Sequence, residues 1–194
     1  MVYFYINRLY LKDAKTLKKS IIPSLITIGN FVSGLSSILL AFRGYLFLAI
    51  IFVIIGAILD SLDGMAARKL NAVSLFGKEL DSLSDIITFG VAPAIITYSI
   101  VFHDAPVLGL PSTLLFPVCG ALRLARFNIQ SENQTYFTGL PITAAGTILV
   151  CLNLLWGIIG PKTVIMFSLC LSYLMVSKIR VISLKGKNLL KKVS

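Results

Sequence analysis

The chain has 194 residues, of which 57% are hydrophobic and 13% charged, and its mean hydropathy is +0.90. This composition excludes an ordinary soluble globular domain and indicates an integral membrane protein. The formal net charge of +10 does not indicate nucleic-acid binding, because the basic residues flank apolar stretches and suit the anionic headgroups of a lipid bilayer.

The first part of the chain mixes aromatic, aliphatic and basic side chains over residues 1–20. One interpretation is an amphipathic helix that lies in the membrane interface. The other is a basic tail that only helps to set the membrane topology. We predict three parts: an interfacial amphipathic segment over residues 1–20, a membrane domain over 21–180 and a basic C-terminal tail over 181–194.

Six uncharged, mostly apolar stretches follow, each close to the ~17–25 residues that a spanning helix needs once its ends are extended. They are Ile21–Phe42, Gly44–Leu59, Ile86–Phe102, Ala105–Leu122, Leu140–Gly160 and Thr163–Ser177. The sequence therefore predicts an all-α, polytopic membrane bundle of six transmembrane helices.

The distribution of Lys and Arg predicts how this bundle is oriented. If the N-terminus is cytoplasmic, sixteen of the eighteen basic residues fall on the cytoplasmic side, and only Arg43 and Lys162 fall on the other. This asymmetry is the one that the positive-inside rule describes. We expect a multi-pass protein of the cell membrane with both termini in the cytoplasm.

Small residues recur every four positions in the first span, at Gly29, Ser33, Ser37 and Ala41. Such a strip lets another helix approach closely. The neighbouring helix can belong to the same subunit or to a second copy of the chain, and the sequence leaves both open.

Polar residues occupy a neighbouring face of the same span, at Thr27 and Asn30, with Gly34 in register. A buried Asn in a span needs hydrogen-bond partners. These residues predict either a polar clasp between helices or one wall of an active-site cavity.

Four aspartates and two glycines form the pattern D-x2-D-G-x2-A-R-x8-G-x3-D-x3-D between Asp60 and Asp85. Asp60 and Asp63 are three residues apart and share one helix face, and Gly77, Asp81 and Asp85 repeat at intervals of four on the next helix. Two helices would each offer two carboxylates to one cleft. Carboxylates are costly at membrane depth, so this cluster predicts a functional site, which the predicted topology places on the cytoplasmic side.

The chemistry of the cluster predicts a metal site. Carboxylates that converge repel one another unless countercharge is supplied, and oxygen-only ligation suits Mg²⁺, Mn²⁺ or Ca²⁺. Hard cations held in this way typically serve phosphate-containing substrates. Gly64, Ala67 and Gly77 would leave room for a bulky ligand, although close helix packing also explains glycine, and Arg68 can clamp a phosphate.

The pattern resembles the signature of the CDP-alcohol phosphotransferase family at every position. The resemblance implies a six-helix core, a homodimer, two divalent cations (Mg²⁺ or Mn²⁺, with Ca²⁺ as another occupant), a CDP-linked lipid donor and release of CMP. Asp60, Asp63 and Asp81 would be metal ligands, and Asp85 both a ligand and the catalytic general base. The residues predicted to bind the donor, CDP-diacylglycerol, are Thr27, Asn30, Gly64, Ala67, Arg68 and Gly77.

Three further segments are similar to the branch of this family that uses serine as the acceptor. They are Leu80–Ala94, Cys119–Asn128 and Phe137–Pro141. The start of the first span, Pro23–Asn30, is similar to that branch too, although Ser24 stands where Asn is expected. Ile142–Thr143 departs from the Pro expected soon after Gly139–Pro141. The resemblance implies transfer of a phosphatidyl group from CDP-diacylglycerol to L-serine.

Two arginines offer independent support for a carboxylate-bearing acceptor. Arg123 and Arg126 lie near the predicted C-terminus of the fourth span, where they can bind an anion or simply anchor the helix by reaching toward the headgroups. Backbone groups at Gly139 and Leu140 would complete the serine site. Glycerol 3-phosphate and inositol phosphate remain alternative acceptors. A phosphorylated acceptor would require a denser basic pocket, to which Lys78 could contribute as a spatial neighbour of the two arginines.

A membrane transporter of ions or metals is the alternative from a different functional class, because intramembrane acids also line ion pathways. A transporter would distribute its acids through the bilayer, whereas the four motif acids gather at one interface. The stretch Leu140–Ser177 carries one charge, at Lys162. The pattern favours the enzyme.

Overall fold

A computed structural model of the protein describes residues 2–72, 74–101, 106–129, 137–177 and 180–181, with side chains for 21–72, 74–101, 109–129 and 139–177. The elements are α1 (Val2–Phe42), α2 (Leu46–Lys69), α3 (Leu75–Asp85), a π-helical segment (Ile86–Val91), α4 (Ala92–Val101), α5 (Pro106–Ile129), β1 (Phe137–Thr138), α6 (Ile142–Leu154), α7 (Trp156–Ile159), α8 (Pro161–Val176) and β2 (Arg180–Val181). The prediction of a helical fold is confirmed, and the two-residue strands β1 and β2 pair antiparallel as a minor addition.

Three of the helical runs with described side chains are long and apolar enough to cross a membrane. They are Ile21–Phe42, Leu46–Lys69 and the combined run Leu75–Val101. Helices α6 and α8 are apolar but shorter. The protein is therefore a multi-pass membrane protein, while the number of six crossings stays a prediction.

The predicted interfacial segment is helical over residues 2–20 and continues without a break into the first span as part of α1. Its position in the membrane interface stays a prediction. The predicted C-terminal tail, except for residue 181 in β2, lies outside the described residues.

The strip of small residues on α1 faces α2 within the same subunit. Ser33 donates a hydrogen bond from Oγ to the Phe52 carbonyl at 2.6 Å, and Ser37 donates to the Ala49 carbonyl at 2.8 Å. Hydroxyls that bond to a neighbouring backbone hold two membrane helices at close range. The strip therefore serves packing inside one subunit.

The opposite face of α1 is apolar and exposed, as expected of a surface that contacts lipid. Its exposed side chains are Leu25, Ile28, Val32, Leu35 and Leu39. Their spacing of three and four residues forms one helical stripe.

The buried core lies among the π-helical segment and helices α4, α5, α6 and α8. Its fully buried large side chains include Phe89, Ile96, Phe116, Leu149 and Met175. Polar groups inside this core are paired in part, since Asn153 donates from Nδ2 to Thr97 Oγ1 at 2.9 Å. The site described next lies at one end of this core, where α1, α2 and α3 meet and where α5 contributes Arg123.

Candidate active site

The four motif aspartates come from the last turns of α2 and from α3. Asp60, Asp63 and Asp81 each offer a carboxylate oxygen, and these oxygens lie within 4.8 Å of one another. The Asp60 carboxyl is also within hydrogen-bonding reach of both Asp81 and Asp85. Asp63 and Asp85 are buried, with 6% and 7% of their surface exposed. The two helices thus present all four acids to one shared cleft, as the spacing predicts.

The connection between α2 and α3 explains this convergence. The chain leaves α2 at Leu70, whose N–H bonds back to the Ala66 carbonyl, and Asn71 adopts a positive φ of 48°. Asn tolerates this left-handed conformation better than most residues. Ser74 then caps α3 by accepting a hydrogen bond from the Gly77 N–H at 3.0 Å. The short reversal returns the chain so that α3 faces the end of α2.

The carboxylates fit hard divalent cations. The Oδ1 atoms of Asp81 and Asp85 are buried and lack a hydrogen-bond partner among the described residues. Buried carboxylate oxygens without a partner are unfavourable unless a cation or a donor binds them. Oxygen-only donors at this separation suit Mg²⁺, Mn²⁺ or Ca²⁺.

Thr27 of α1 orients one of these acids. Its Oγ1 lies 2.7 Å from Asp63 Oδ2 and donates a hydrogen bond to it, with the Pro23 carbonyl as a second acceptor at 3.0 Å. The Ser84 hydroxyl in turn donates to the Thr27 carbonyl at 3.3 Å. Helix α1 is therefore bonded to both α2 and α3 at the carboxylate cluster.

A cavity of about 210 Å³ opens beside Asp63 and Asp81. It includes five of the six residues that the sequence predicts for donor binding: Thr27, Gly64, Ala67, Arg68 and Gly77. Arg68 folds over Gly64, where an added Cβ would lie 3.4 Å from its Nη1. The bare glycine surface thus lets a guanidinium lie against the helix.

Asn30 does not line this cavity. It is fully buried, and neither its Oδ1 nor its Nδ2 has a hydrogen-bond partner among the described residues. A Cβ added at Gly56 would lie 2.9 Å from its Oδ1, and the Thr88 hydroxyl donates to its backbone carbonyl at 3.0 Å. Asn30 therefore lies between α2 and the π-helical segment, about one helical turn from the carboxylates on each.

The two predicted acceptor arginines lie in different surroundings. Arg123 interacts electrostatically with Asp85, and its guanidinium lies 5.6 Å from the centre of the Phe127 ring. Lys78 of α3 lies 5.7 Å from the same centre. Arg126 instead donates from Nη1 to the Val176 carbonyl at 3.0 Å.

Gly139 and Leu140, which are predicted to contribute backbone groups to the serine site, also lie at the end of α8. The Leu140 N–H donates to the Leu174 carbonyl at 3.1 Å. Gly139 has a φ of +82°, and an added Cβ would collide with the Met175 carbonyl. Glycine is required here for both reasons. Arg126, Gly139 and Leu140 are therefore held together by α8, while Arg123 is the predicted acceptor residue beside Asp85.

Several residues of the site were not predicted. The cavity is also lined by Pro23, Ser24, Ala72, Ser74 and Lys78. Ser74 had a detectable signal, because a Ser just before a predicted helix is a typical cap. The placement of Phe127 had none, since it depends on how α3 packs against α5. Lys78 was expected only as one possible spatial neighbour of the acceptor arginines.

Comparison with known proteins gives consistent matches. The family model "CDP-alcohol phosphatidyltransferase" matches residues 20–180. The chain is 46% identical over 159 residues to the CDP-diacylglycerol–serine O-phosphatidyltransferase of Bacillus subtilis, covering 82% of this chain and 88% of that protein. It is 39% identical over 173 residues to the archaetidylserine synthase of Methanothermobacter thermautotrophicus, covering 87% and 72%.

A third relative, the CDP-diacylglycerol–serine O-phosphatidyltransferase of Helicobacter pylori strain 26695, is 40% identical over 166 residues, covering 81% of this chain and 70% of its own length. The matched region contains α2 and α3, whose acids converge in the structure. On this agreement of sequence and site geometry, the chain belongs to the CDP-alcohol phosphatidyltransferase family.

Proposed function

We propose that the protein transfers the phosphatidyl group of CDP-diacylglycerol to the hydroxyl of L-serine, giving phosphatidylserine and CMP. The observation that carries the proposal is the convergence of Asp60, Asp63 and Asp81 beside a cavity lined by Gly64 and Arg68. The names of the relatives supply the donor and acceptor.

The donor nucleotide occupies the cavity between α1 and the α2–α3 connection. Gly64, Ala67 and Gly77 leave space for the flat cytidine ring, and Arg68 binds phosphate oxygens. Thr27 acts mainly through Asp63, to which it is bonded. Asn30 supports the site by packing between α2 and the π-helical segment, because it lies beside Gly56 and Thr88 and does not line the cavity.

Asp60, Asp63, Asp81 and Asp85 hold two divalent cations, Mg²⁺ or Mn²⁺, with Ca²⁺ as another occupant. When bound, these cations neutralise charge on the phosphates and stabilise the leaving group.

Asp85 acts as the general base. It accepts the proton of the serine hydroxyl while the serine oxygen attacks the phosphorus that carries diacylglycerol, forming the new O–P bond as the bond to CMP breaks. Arg123 is placed beside Asp85 and binds the serine carboxylate. Arg126, Gly139 and Leu140 form the outer part of the acceptor site, which is fixed to α8.

The membrane arrangement completes the proposal. Six crossings, with both termini and the carboxylate cluster on the cytoplasmic side, would release CMP into the cytoplasm and keep the acyl chains in the bilayer. The protein acts as a homodimer. The orientation is supported by the concentration of Lys and Arg next to the spans on one side, whereas the homodimer is what the family resemblance implies.

A CMP-release assay tests the acceptor. Purified protein is incubated with CDP-diacylglycerol, Mn²⁺ or Mg²⁺, and serine, glycerol 3-phosphate or inositol phosphate in separate reactions. We expect CMP to be released in the reaction with serine and not in the other two. Release with glycerol 3-phosphate but not serine would overturn the proposal. The observation that keeps a phosphorylated acceptor as the second candidate is that two cations, Lys78 and Arg123, both lie against the Phe127 ring.

A further inference from the structure

Three contacts join the end of α5 to α3, each between one residue of either helix. The pairs are Arg123 with Asp85, Phe127 with Lys78, and Asn128 with Ser82. The contact between Arg123 and Asp85 belongs to the proposed reaction. The contact between Asn128 and Ser82 has not yet been given a role in it.

The hydrogen bonds around Ser82 fix the orientation of the Asn128 amide. The Ser82 hydroxyl donates its single proton to the Lys78 carbonyl at 3.1 Å. It can then only accept from Asn128, whose Nδ2 lies 3.0 Å from Ser82 Oγ. The NH₂ group of Asn128 must point at Ser82, and its oxygen must point away.

The amide oxygen that remains is a buried acceptor to which no residue of the described ranges donates. Asn128 Oδ1 has no hydrogen bond among the described residues, and the same is true of Arg123 Nε. Buried polar atoms without partners are rare in folded proteins and require an explanation. Among the described residues, one acceptor and one donor near the end of α5 are thus without a partner. Arg123 interacts with the proposed general base Asp85, and Ser82, which binds Asn128, lies three residues before Asp85 on α3.

We infer that Asn128 Oδ1 accepts a hydrogen bond from the ammonium group of the amino-acid acceptor and is a specificity-determining residue for it. The inference rests on the proposed function. A β-hydroxy amino acid such as serine carries a hydroxyl, a carboxylate and an ammonium group on two adjacent carbons. The hydroxyl donates to Asp85, the carboxylate binds Arg123 and the ammonium group donates to Asn128 Oδ1. An alcohol without an ammonium group would leave Oδ1 unpartnered, and sites with such a buried group reject the incomplete ligand.

The test compares serine with 3-hydroxypropanoate, which is serine without its ammonium group, used as a competitive inhibitor. We expect Asn128→Leu to raise the KM for serine by about 10- to 100-fold, as for loss of a hydrogen bond to a charged group, and to change the Ki of 3-hydroxypropanoate by less than about threefold. Asn128→Asp should keep the KM for serine near that of the wild type and raise the Ki of 3-hydroxypropanoate through repulsion between carboxylates.

The control is Asn153→Leu. Asn153 is a buried amide of α6 that donates to Thr97 of α4, and its Oδ1 also lacks a partner among the described residues. It should leave the KM for serine unchanged. Equal changes in serine KM and 3-hydroxypropanoate Ki in Asn128→Leu, or a loss of serine binding in Asn128→Asp, would overturn the inference. Absence of serine turnover in the wild type would instead refute the proposed function.

Discussion

Removing the Thr27 hydroxyl tests whether the carboxylate cluster holds its metal through support from α1. The change is Thr27→Val, which keeps the shape of the side chain and removes the donor to Asp63 Oδ2 at 2.7 Å. Asp63 is only 6% exposed, so water has little room to replace the lost donor. We expect weaker metal binding with the fold retained.

The size of the effect follows from the kind of hydrogen bond. A bond to a charged group contributes about 1.5–3 kcal/mol, and 1.4 kcal/mol corresponds to about tenfold in affinity. The Thr27 hydroxyl is shared with the Pro23 carbonyl at 3.0 Å, so the lower part of this range applies. Mutation of a residue that hydrogen-bonds to a metal ligand typically lowers metal affinity by about 10- to 100-fold, which agrees with this energy range. We expect about 10- to 30-fold, near the lower limits of both ranges.

The assay is isothermal titration of CDP at several Mn²⁺ concentrations, which reports metal binding without turnover. Thr27→Ser keeps a hydroxyl and should retain most of the affinity. Thr113→Val is the matched control, because the Thr113 hydroxyl bonds to the Gly109 carbonyl of its own helix and to no other described residue. A Thr27→Val protein whose Mn²⁺ dependence stays within twofold of the wild type would show that Thr27 does not support the metal site.

Two further predictions concern the general base and the packing of α2 against α1 and the π-helical segment. Asp85→Asn should lower kcat by about 100- to 10,000-fold while metal-dependent CDP binding stays measurable, and unchanged turnover would refute the base assignment. Gly56→Ala should destabilise the protein by about 1–3 kcal/mol and lower activity, because its Cβ would lie 2.5 Å from Thr88 Cγ2 and 2.9 Å from Asn30 Oδ1. Gly157→Ala, whose Cβ would meet nothing within 4 Å, is its control in thermal unfolding, and equal effects of the two would contradict the packing argument.

The convergence of the acids could be predicted from the sequence because it depends on local periodicity. Asp60 and Asp63 share a face of one helix, and Asp81 and Asp85 share a face of the next, whatever the rest of the fold does. Only a short connection is then needed to bring the faces together. Gly64 and Gly77, which the sequence predicts to bind the donor, line the cavity beside these acids, and their role in donor binding stays a prediction.

The acceptor side could not be predicted to the same depth, because it depends on contacts between distant helices. Arg123 and Arg126 look equivalent in sequence, yet one lies beside Asp85 and the other bonds to the end of α8. Asn30 was predicted to bind the donor from its position near Thr27. The packing of α1 against Gly56 and Thr88 instead buries it outside the cavity.

The π-helical segment Ile86–Val91 explains how one continuous helical run performs two tasks. Before this segment in the chain, α3 presents Asp81 and Asp85 to the cleft at α-helical spacing. After it, α4 buries Ala92 and Ile96 in the apolar core. A π-helical turn contains an extra residue and rotates the faces before and after it relative to each other, and such turns are frequent at functional sites. The rotation lets the acids face α2 while the following turns face α5 and α6, so that a costly carboxylate surface and a dry core can be built on the same membrane helix.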